Sequence, residues 1–255
     1  MEKLLEGKTA IITGASKGIG LAIAQVYAQE GANVVSTARG KEALDEAVEG
    51  IRNAGGKVVG VVADVSSVKA CKEVFARAIA EFGNVDILVN NAGMGELWKI
   101  EEVTDEIIDE TIDTNLKGPI IYCREAIQHM LPRKSGVIIN ISSVNGVRPM
   151  CGAVYTSTKG ALNILTKNIA IRLVGTGVRC NALCPGFTVT PLSTTQEQGG
   201  LAPEGKSMLP ILHERTVRTV PTQVMNQANV ALFLASDLSA AVQGQILVVD
   251  NGQYL

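Results

Sequence analysis

A tyrosine and a lysine four residues apart are the side chains whose spacing most directly suggests chemistry. On a helix, Tyr155 and Lys159 would lie on the same face. A free phenol titrates near pH ~10, and a nearby ammonium lowers its pKa because it favours the phenolate. The pair could therefore exchange a proton near neutral pH, although a single pair of this kind also occurs on ordinary amphipathic helices.

Two serines precede this pair by about a dozen residues. Ser142 and Ser143 follow an apolar run at residues 136–141, which predicts a strand. Open α/β sheets bind their ligands at the carboxyl ends of the strands. The position of the serines therefore supports the interpretation of Tyr155 and Lys159 as a catalytic pair.

A glycine-rich turn near the start of the chain could bind a phosphate. Residues 9–13 predict a strand, residues 14–20 (GASKGIG) follow directly, and residues 21–30 predict a helix. Glycines at such a junction allow a tight turn and let backbone N–H groups approach a phosphate at the helix N-terminus. The spacing is G-x-x-x-G-x-G rather than the G-x-G-x-x-G of the common dinucleotide fingerprint. We interpret it as a phosphate-binding turn; the alternative is a tight turn without a ligand.

The end of the second predicted strand indicates which nucleotide this turn would bind. An NAD-binding unit usually has Asp or Glu there to hold the ribose hydroxyls, but residues 35–39 read VSTAR. Arg39 and Lys17 could instead neutralise a 2′-phosphate, which a carboxylate would repel. This favours NADP(H) over NAD(H), unless both cations are only solvated surface residues.

Short apolar runs alternate with helical patterns along the whole chain. Strands are predicted at residues 9–13, 33–37, 57–62, 85–90, 136–141, 178–183 and 245–249. Between them, apolar residues recur at steps of three and four, and glycines such as Gly31 and Gly83 end the helices. The alternation predicts an α/β fold: a single-domain, Rossmann-type, doubly wound parallel sheet of about seven strands flanked by helices, over residues 1–255. Residues 192–220 interrupt the alternation and predict a long substrate loop.

Composition excludes several other classes of protein. The chain has 255 residues, 46% of them hydrophobic and 19% charged, with 23 Lys and Arg against 25 Asp and Glu, so it has the signature of neither a disordered nor a nucleic-acid-binding protein. No apolar run reaches the ~18–20 residues of a membrane span, and residues 1–8 are too polar for a secretion signal. Five cysteines without CxxC spacing and two distant histidines indicate no metal site. We expect a cytoplasmic protein without nucleic-acid, membrane or metal partners.

Taken in order, these segments and several others resemble the short-chain dehydrogenases/reductases over almost the full length of the chain. The matching segments are residues 13–20 (TGASKGIG), 64–65 (DV), 90–93 (NNAG), 115 (N), 142–143 (SS), 155–159 (YTSTK), 185–186 (PG) and 249–252 (VDNG). Each match is modest alone, but the ordered set is highly specific. The resemblance implies the Rossmann-type fold and an NAD(P)-dependent oxidoreductase acting on CH–OH groups.

The resemblance also implies a role for each matching residue. Tyr155 would be the general acid in ketone reduction and the base in alcohol oxidation, and Lys159 would hold the nicotinamide ribose and lower the pKa of Tyr155. A serine would hydrogen-bond the substrate oxygen, and Asn115 would hold a water linking Lys159 to solvent. The cofactor would be bound by Gly14, Ser16, Lys17, Gly18, Ile19, Gly20, Arg39, Asp64, Val65, Asn91, Ala92, Gly93, Pro185, Gly186, Thr188 and Thr190, together with Tyr155 and Lys159.

Two positions depart from the family pattern. The family's serine is usually the second of the pair and lies thirteen residues before the tyrosine. Ser143 has the right place in the pair but lies twelve residues before Tyr155, whereas Ser142 has the right spacing. A one-residue deletion within residues 147–153 would reconcile the two, so Ser143 is preferred and Ser142 is kept as the alternative. Asn251 stands where the family commonly has glycine, which leaves the fold prediction unchanged.

The predicted function is the interconversion of a secondary alcohol and a ketone by hydride transfer with NADP(H). A catalytically idle nucleotide-binding protein is the alternative from another class; the presence of Asn115, a serine, Tyr155 and Lys159 argues against it. The resemblance suggests three groups of small-molecule substrate: lipophilic ketones or hydroxysteroids such as bile acids, 3-oxoacyl thioesters of acyl carrier protein, and polyols or sugars.

Apolar residues favour the first of these groups. Those that could line an apolar cleft are Met94, Leu97, Trp98, Met150, Leu201, Met208, Leu209, Ile211 and Leu212. The alternative is that many of them pack in the core or in a subunit interface. Recognition of a carrier protein would need a basic patch, and the sequence shows none, because Lys and Arg are scattered; Lys99, Arg124 and Arg133 could still cluster in space. The resemblance finally implies a homotetramer, built through helices predicted at residues 105–130 and 155–174, with residues 251–255 reaching a neighbouring subunit.

Overall fold

The computed structural model describes residues 3–193, 202–203, 205–208, 210 and 220–253, and one twisted sheet organises them. The sheet has seven parallel strands in the order β3-β2-β1-β4-β5-β6-β7. Their bounds are β1 Thr9–Thr13, β2 Asn33–Ala38, β3 Lys57–Val62, β4 Ile87–Asn90, β5 Gly136–Ile141, β6 Val178–Pro185 and β7 Ile246–Val249. The predicted doubly wound parallel sheet is confirmed.

Helices connect the strands of this sheet. They are α1 Gly18–Gln29, α2 Lys41–Asn53, α3 Val68–Phe82, α4 Asp105–Ile112, α5 Gly118–Met130, α6 Ala153–Leu173 and α7 Val224–Ala235. α3 ends where the sequence predicts, because Gly83 adopts the left-handed conformation and its N–H caps the carbonyl of Ile79. α6 begins two residues before Tyr155, so Tyr155 and Lys159 do lie on one helix.

Strand residues alternate between two hydrophobic cores, one on each face of the sheet. On β1, Ile12 packs in the core formed with α1 and α7, whereas Ile11 packs in the core that contains Phe75 of α3 and Tyr122 of α5. Because helices cover both faces, every residue of the inner strands β1, β4 and β5 is buried. This burial explains why the strands read as nearly continuous apolar runs in the sequence.

The direction of winding reverses between β1 and β4, which are neighbours in the sheet but not in the sequence. The hydroxyl oxygen of Thr13, the last residue of β1, accepts the backbone N–H groups of Asn91 and Ala92, both at 3.0 Å. The carboxyl ends of β1 and β4 are therefore joined at the reversal, which is where open α/β sheets form their ligand crevice.

The helix predicted over residues 105–130 is present with these bounds, but it is not α-helical throughout. A π-helical turn, Asp113–Lys117, separates α4 from α5. Pro119, at the start of α5, has no N–H to donate to the carbonyl of Asn115 four residues earlier, so a regular α-helix cannot continue through this point. π-Turns of this kind are frequent at functional sites. Predicted strand ends also moved by a residue or two; β4 begins at Ile87, and β6 continues to Pro185.

Most of the predicted loop at residues 192–220 lies outside the described residues, including Leu201, Leu209, Ile211 and Leu212, as do the C-terminal Tyr254 and Leu255. Its described residues 206–208 run beside residues 97–99. The Lys99 N–H donates to the carbonyl of Lys206 (2.9 Å), and the Met208 N–H donates to the carbonyl of Leu97 (2.7 Å). Among the helices that the structure describes, none is long and apolar enough to cross a membrane.

Candidate active site

A cleft of about 470 Å³ lies along the carboxyl ends of the central strands. Its volume is in the range of small-molecule sites. Gly20 and Asn115 lie behind the lining, and every other predicted site residue lines the cleft. The lining residues among those predicted are Gly14, Ser16, Lys17, Gly18, Ile19, Arg39, Asp64, Val65, Asn91, Ala92, Gly93, Ser142, Ser143, Tyr155, Lys159, Pro185, Gly186, Thr188 and Thr190. The fold thus gathers residues from seven separate segments of the chain around one space.

The glycine turn after β1 is shaped by a close approach of two backbones. Gly14 has a φ of +66°, and a Cβ atom there would lie 2.8 Å from the Cα of Ala92. The Asn91 amide braces the turn from β4, since its Nδ2 donates to the carbonyls of Thr13 (2.9 Å) and Gly14 (3.1 Å). α1 begins at Gly18, which lines the cleft, so the unpaired N–H groups of its first turn lie at the cleft wall. This is the arrangement that binds anions at helix N-termini.

Two exposed cations, Lys17 and Arg39, line the same part of the cleft. Lys17 lies within the glycine turn, and Arg39 follows the end of β2 without a carboxylate beside it in sequence. Asp64 lies at the end of β3, where Ser66 donates to its Oδ1 through both N–H and hydroxyl (2.8 Å each), and these bonds lower the pKa of the carboxyl. This end of the cleft therefore has two cations and one carboxylate that accepts two hydrogen bonds from Ser66.

Tyr155 and Lys159 meet in the cleft as the sequence spacing predicts. The Lys159 ammonium lies 5.7 Å from the centre of the Tyr155 ring, and its Nζ donates to the carbonyl of Ile141 at the end of β5 (3.0 Å). Lys159 is 5% exposed, and this burial lowers its pKa to about 8. A cation held in so dry a place acts strongly on any phenol or hydroxyl beside it, because the local dielectric is low.

Asn115 reaches the site from the π-turn. It is fully buried, its Oδ1 accepts the Met94 N–H (2.9 Å), and its Nδ2 donates to the Met94 carbonyl (2.8 Å) and to the Thr158 hydroxyl (3.2 Å). An ideal Cβ on Gly93 would lie 3.3 Å from Asn115 Oδ1 and 3.4 Å from Lys159 Nζ. Asn115 and Lys159 therefore flank one glycine, with no side chain between them.

The two serines point their hydroxyl groups differently. The Ser142 hydroxyl donates to the carbonyl of Lys159 on α6 (3.0 Å), so its proton is already engaged in a hydrogen bond. The Ser143 oxygen instead accepts two N–H groups from Asn145, at 3.1 Å and 3.2 Å. Among the described residues, nothing takes the Ser143 proton, and that proton is available to a group in the cleft.

A buried acid that no sequence pattern indicated, Glu96, lies at the base of the site. Glu96 is 1% exposed; its Oε1 accepts the Tyr155 N–H (2.9 Å) and its Oε2 accepts the Trp98 N–H (2.8 Å). A carboxylate at a helix N-terminus is also stabilised by the helix dipole. Glu96 thus joins the first turn of α6 to the segment that pairs with residues 206–208. The available signal was a single acid among small and apolar residues, at positions 93–98.

We expect the substitution Glu96→Ala to lower the free energy of unfolding by about 2–4 kcal/mol, because it leaves two backbone N–H groups without their charged acceptor. Urea unfolding at pH 7 measures this loss. Glu102→Ala is the matched control, since Glu102 pairs with Lys206 at the surface (3.1 Å) and such pairs contribute about 0–1 kcal/mol. Equal losses in the two variants would contradict the role given to Glu96.

The apolar residues suggested for the substrate divide into two groups. Met94 lines the cleft, but Leu97 is 1% exposed and belongs to the interior. The Trp98 ring packs under the Lys206 ammonium, 5.8 Å from its centre. Val144, Phe187 and Leu192 add further apolar surface to the lining.

The suggested basic patch does not form from Lys99 and Arg133. Lys99 Nζ donates to the carbonyl of Gly205, beyond the carboxyl end of β4. Arg133 binds Asp86, which precedes β4, at 2.9 Å. The two cations therefore lie at opposite ends of the sheet. No cluster of three or more metal-binding side chains occurs among the residues that the structure covers.

Known proteins resemble this chain in sequence and structure. The sequence model of the family described as short chain dehydrogenase matches residues 8–200. The 3β-hydroxysteroid dehydrogenase 1 of Eggerthella lenta is 39% identical over 254 residues, covering 98% of this chain and 95% of that protein. A variant of actinorhodin polyketide ketoreductase with NADPH has a TM-score of 0.88 at 32% identity, covering 96% of this chain and 97% of its own. The 3-ketoacyl-acyl-carrier-protein reductase of Brucella melitensis, complexed with NADH, has a TM-score of 0.87 at 32% identity, covering 98% and 100%.

Proposed function

The chain belongs to the short-chain dehydrogenase family of oxidoreductases, and from this we propose that it interconverts a lipophilic ketone and its secondary alcohol with NADP(H) as cofactor. One observation carries the proposal: a single cleft is lined both by Tyr155, Lys159 and Ser143 and by the cations Lys17 and Arg39. The first set suits proton transfer to a carbonyl oxygen, and the second suits a phosphorylated ribose.

The residues of the cleft fit such a dinucleotide. The glycine turn and the N-terminus of α1 line the cleft and would hold a pyrophosphate, and Arg39 stands in place of the acid that would hold an unphosphorylated ribose. Asp64 and Val65 would hold the adenine end; Asn91, Ala92 and Gly93 would support the adenosine ribose; residues 185–190 would hold the nicotinamide end. The nicotinamide, when bound, supplies or accepts the hydride.

Four side chains would carry the proton and orient the substrate. Tyr155 would give its phenolic proton to the ketone oxygen in reduction and take it back in oxidation. Ser143 would donate its free proton to the same oxygen and stabilise the charge that develops there. Lys159 would favour the phenolate of Tyr155 by its charge, and the Asn115 carbonyl, freed by Pro119, would hold a water beside it.

A neutral, lipophilic ketone of the hydroxysteroid class suits the described lining best. Met94, Val144, Phe187 and Leu192 supply apolar surface, and the only cations that line the described cleft are Lys17, Arg39 and Lys159, all of which the cofactor would engage. The separation of Lys99 from Arg133 disfavours an acidic carrier protein. The 39% identity with a 3β-hydroxysteroid dehydrogenase points in the same direction.

Oxidation of NADPH with a panel of ketones tests this function. The panel contains a 3-oxo steroid, a 3-oxoacyl thioester and a ketose at equal concentrations. The largest kcat/KM is expected for the steroid. Turnover confined to the thioester or the ketose would overturn the substrate class, and cofactor binding without turnover of any ketone would favour an idle nucleotide-binding protein.

The homotetramer, the cytoplasmic location and a single domain over the whole chain stay predictions.

We expect Arg39→Glu to weaken NADPH binding by roughly 10–100-fold, because a guanidinium–phosphate contact is lost and a repelling carboxylate takes its place. NADH binding should stay the same or tighten, since the new acid can accept the ribose hydroxyls. Titration of nicotinamide fluorescence with each cofactor measures both constants.

Arg77→Glu is the matched control for this charge reversal. Arg77 is exposed on α3 and pairs with Glu81, away from the cleft lining. It should leave both dissociation constants within about twofold of the original protein. A wild-type protein that prefers NADH would contradict the roles given to Lys17 and Arg39.

A further inference from the structure

The Ser143 hydroxyl is oriented by a side chain that takes no part in the predicted catalytic set. Asn145 is 8% exposed, and both its backbone N–H and its Nδ2 donate to the Ser143 oxygen, at 3.1 Å and 3.2 Å. A hydroxyl has two acceptor sites and one proton. Because N–H groups occupy both acceptor sites, the Ser143 oxygen can make a further hydrogen bond only by donating.

The other end of the Asn145 amide fixes its orientation. Oδ1 accepts the N–H groups of Met150 (3.0 Å) and Cys151 (2.8 Å). Two backbone donors on this atom identify it as oxygen, so the amide cannot be flipped without placing N–H against N–H. The Nδ2 group must therefore face Ser143.

We propose that Asn145 is a positioning residue that turns the Ser143 proton toward the substrate oxygen. It would do so by saturating the acceptor sites of the serine, and the two donated N–H groups would also polarise the hydroxyl and strengthen the bond that it gives. This inference rests on the proposed function, since it assigns Asn145 to the carbonyl reduction in which Ser143 binds the oxygen.

The substitution Asn145→Asp separates positioning from structure. A carboxylate keeps acceptors for the Met150 and Cys151 N–H groups, so the turn before α6 is preserved. It cannot donate to Ser143, and it offers the serine proton an acceptor away from the substrate. We expect kcat to fall by roughly 10–100-fold while the dissociation constant for NADPH stays within about twofold. Asn226→Asp, on an exposed cap of α7, is the matched control and should leave kcat unchanged.

A double-mutant cycle with Ser143→Ala gives the decisive result. Ser143→Ala should lower kcat by about 10²-fold, and adding Asn145→Ala should then lower it by no more than about twofold, because the group that Asn145 orients is already absent. If Asn145→Ala lowered kcat by the same factor in the wild-type protein and in the Ser143→Ala variant, the positioning role would be overturned. An Asn145→Asp variant with the original kcat would overturn it as well. A folded wild-type protein that binds NADPH but reduces no ketone would contradict the proposed function instead.

Discussion

Tyr155→Phe is expected to lower kcat for ketone reduction by about 10²–10⁴-fold, the usual contribution of a positioned general acid. NADPH binding should change little, since the phenyl ring keeps its place on α6 and beside the Lys159 ammonium. Stopped-flow measurement of NADPH oxidation gives the rate, and a separate fluorescence titration gives the dissociation constant.

Tyr27→Phe is the control for loss of a tyrosine hydroxyl. The Tyr27 hydroxyl donates to the carbonyl of Ala231, joining α1 to α7 in the core, away from the cleft lining. Its removal should cost about 1 kcal/mol of stability and leave kcat unchanged. If Tyr155→Phe retained more than about a tenth of the original kcat, another group would have to supply the proton.

Lys159→Met should also abolish turnover, and it should do so without destabilising the protein at pH 7. Lys159 is buried, and its Nζ donates a hydrogen bond to the carbonyl of Ile141. The pKa of about 8 means that the folded protein holds this proton less tightly than the unfolded chain does. Burying the charged form therefore costs folding energy, roughly 3 kcal/mol on the pKa scale, which methionine avoids.

The pH dependence of stability distinguishes this explanation from a simple packing change. Between pH 8 and about 10.5 the unfolded chain keeps the Lys159 proton and the folded protein releases it, so stability from this group rises with pH. Urea unfolding across this range should show the advantage of Lys159→Met shrinking as pH rises. Lys167→Met, an exposed position on the same helix, should show a constant difference from wild type. A constant difference for Lys159→Met as well would contradict a buried ammonium.

Much of the site could be predicted from the sequence because it depends on local order. Helical spacing alone brings Tyr155 and Lys159 together, and a glycine turn directly after a strand has few other conformations open to it. The parallel sheet then places Ser143, Asn91 and Gly186 at one edge, because the carboxyl ends of parallel strands meet there. For these residues, the order of strands, turns and helices along the chain is enough to predict that they lie close together.

The residues that the sequence did not reveal depend on contacts between distant segments. Glu96 bonds to Tyr155, 59 residues later, and no periodicity relates the two. The choice between Ser142 and Ser143 likewise depends on which acceptor each hydroxyl meets, since both lie at the end of the same strand. Pro119 lies well inside the helix predicted over residues 105–130 and marks an interruption there, but the sequence does not show that a π-turn rather than a break accommodates it.

The π-turn at residues 113–117 makes the number of residues between α4 and α5 as important as their types. Each residue of a regular helix rotates the chain by about 100°. Loss or gain of one residue between Ile112 and Gly118 would therefore swing Tyr122 and Cys123 of α5 out of the core, and would carry Asn115 away from Thr158. The turn works as a fixed spacer, because an insertion or deletion within it would disturb the core and the candidate active site in a single step.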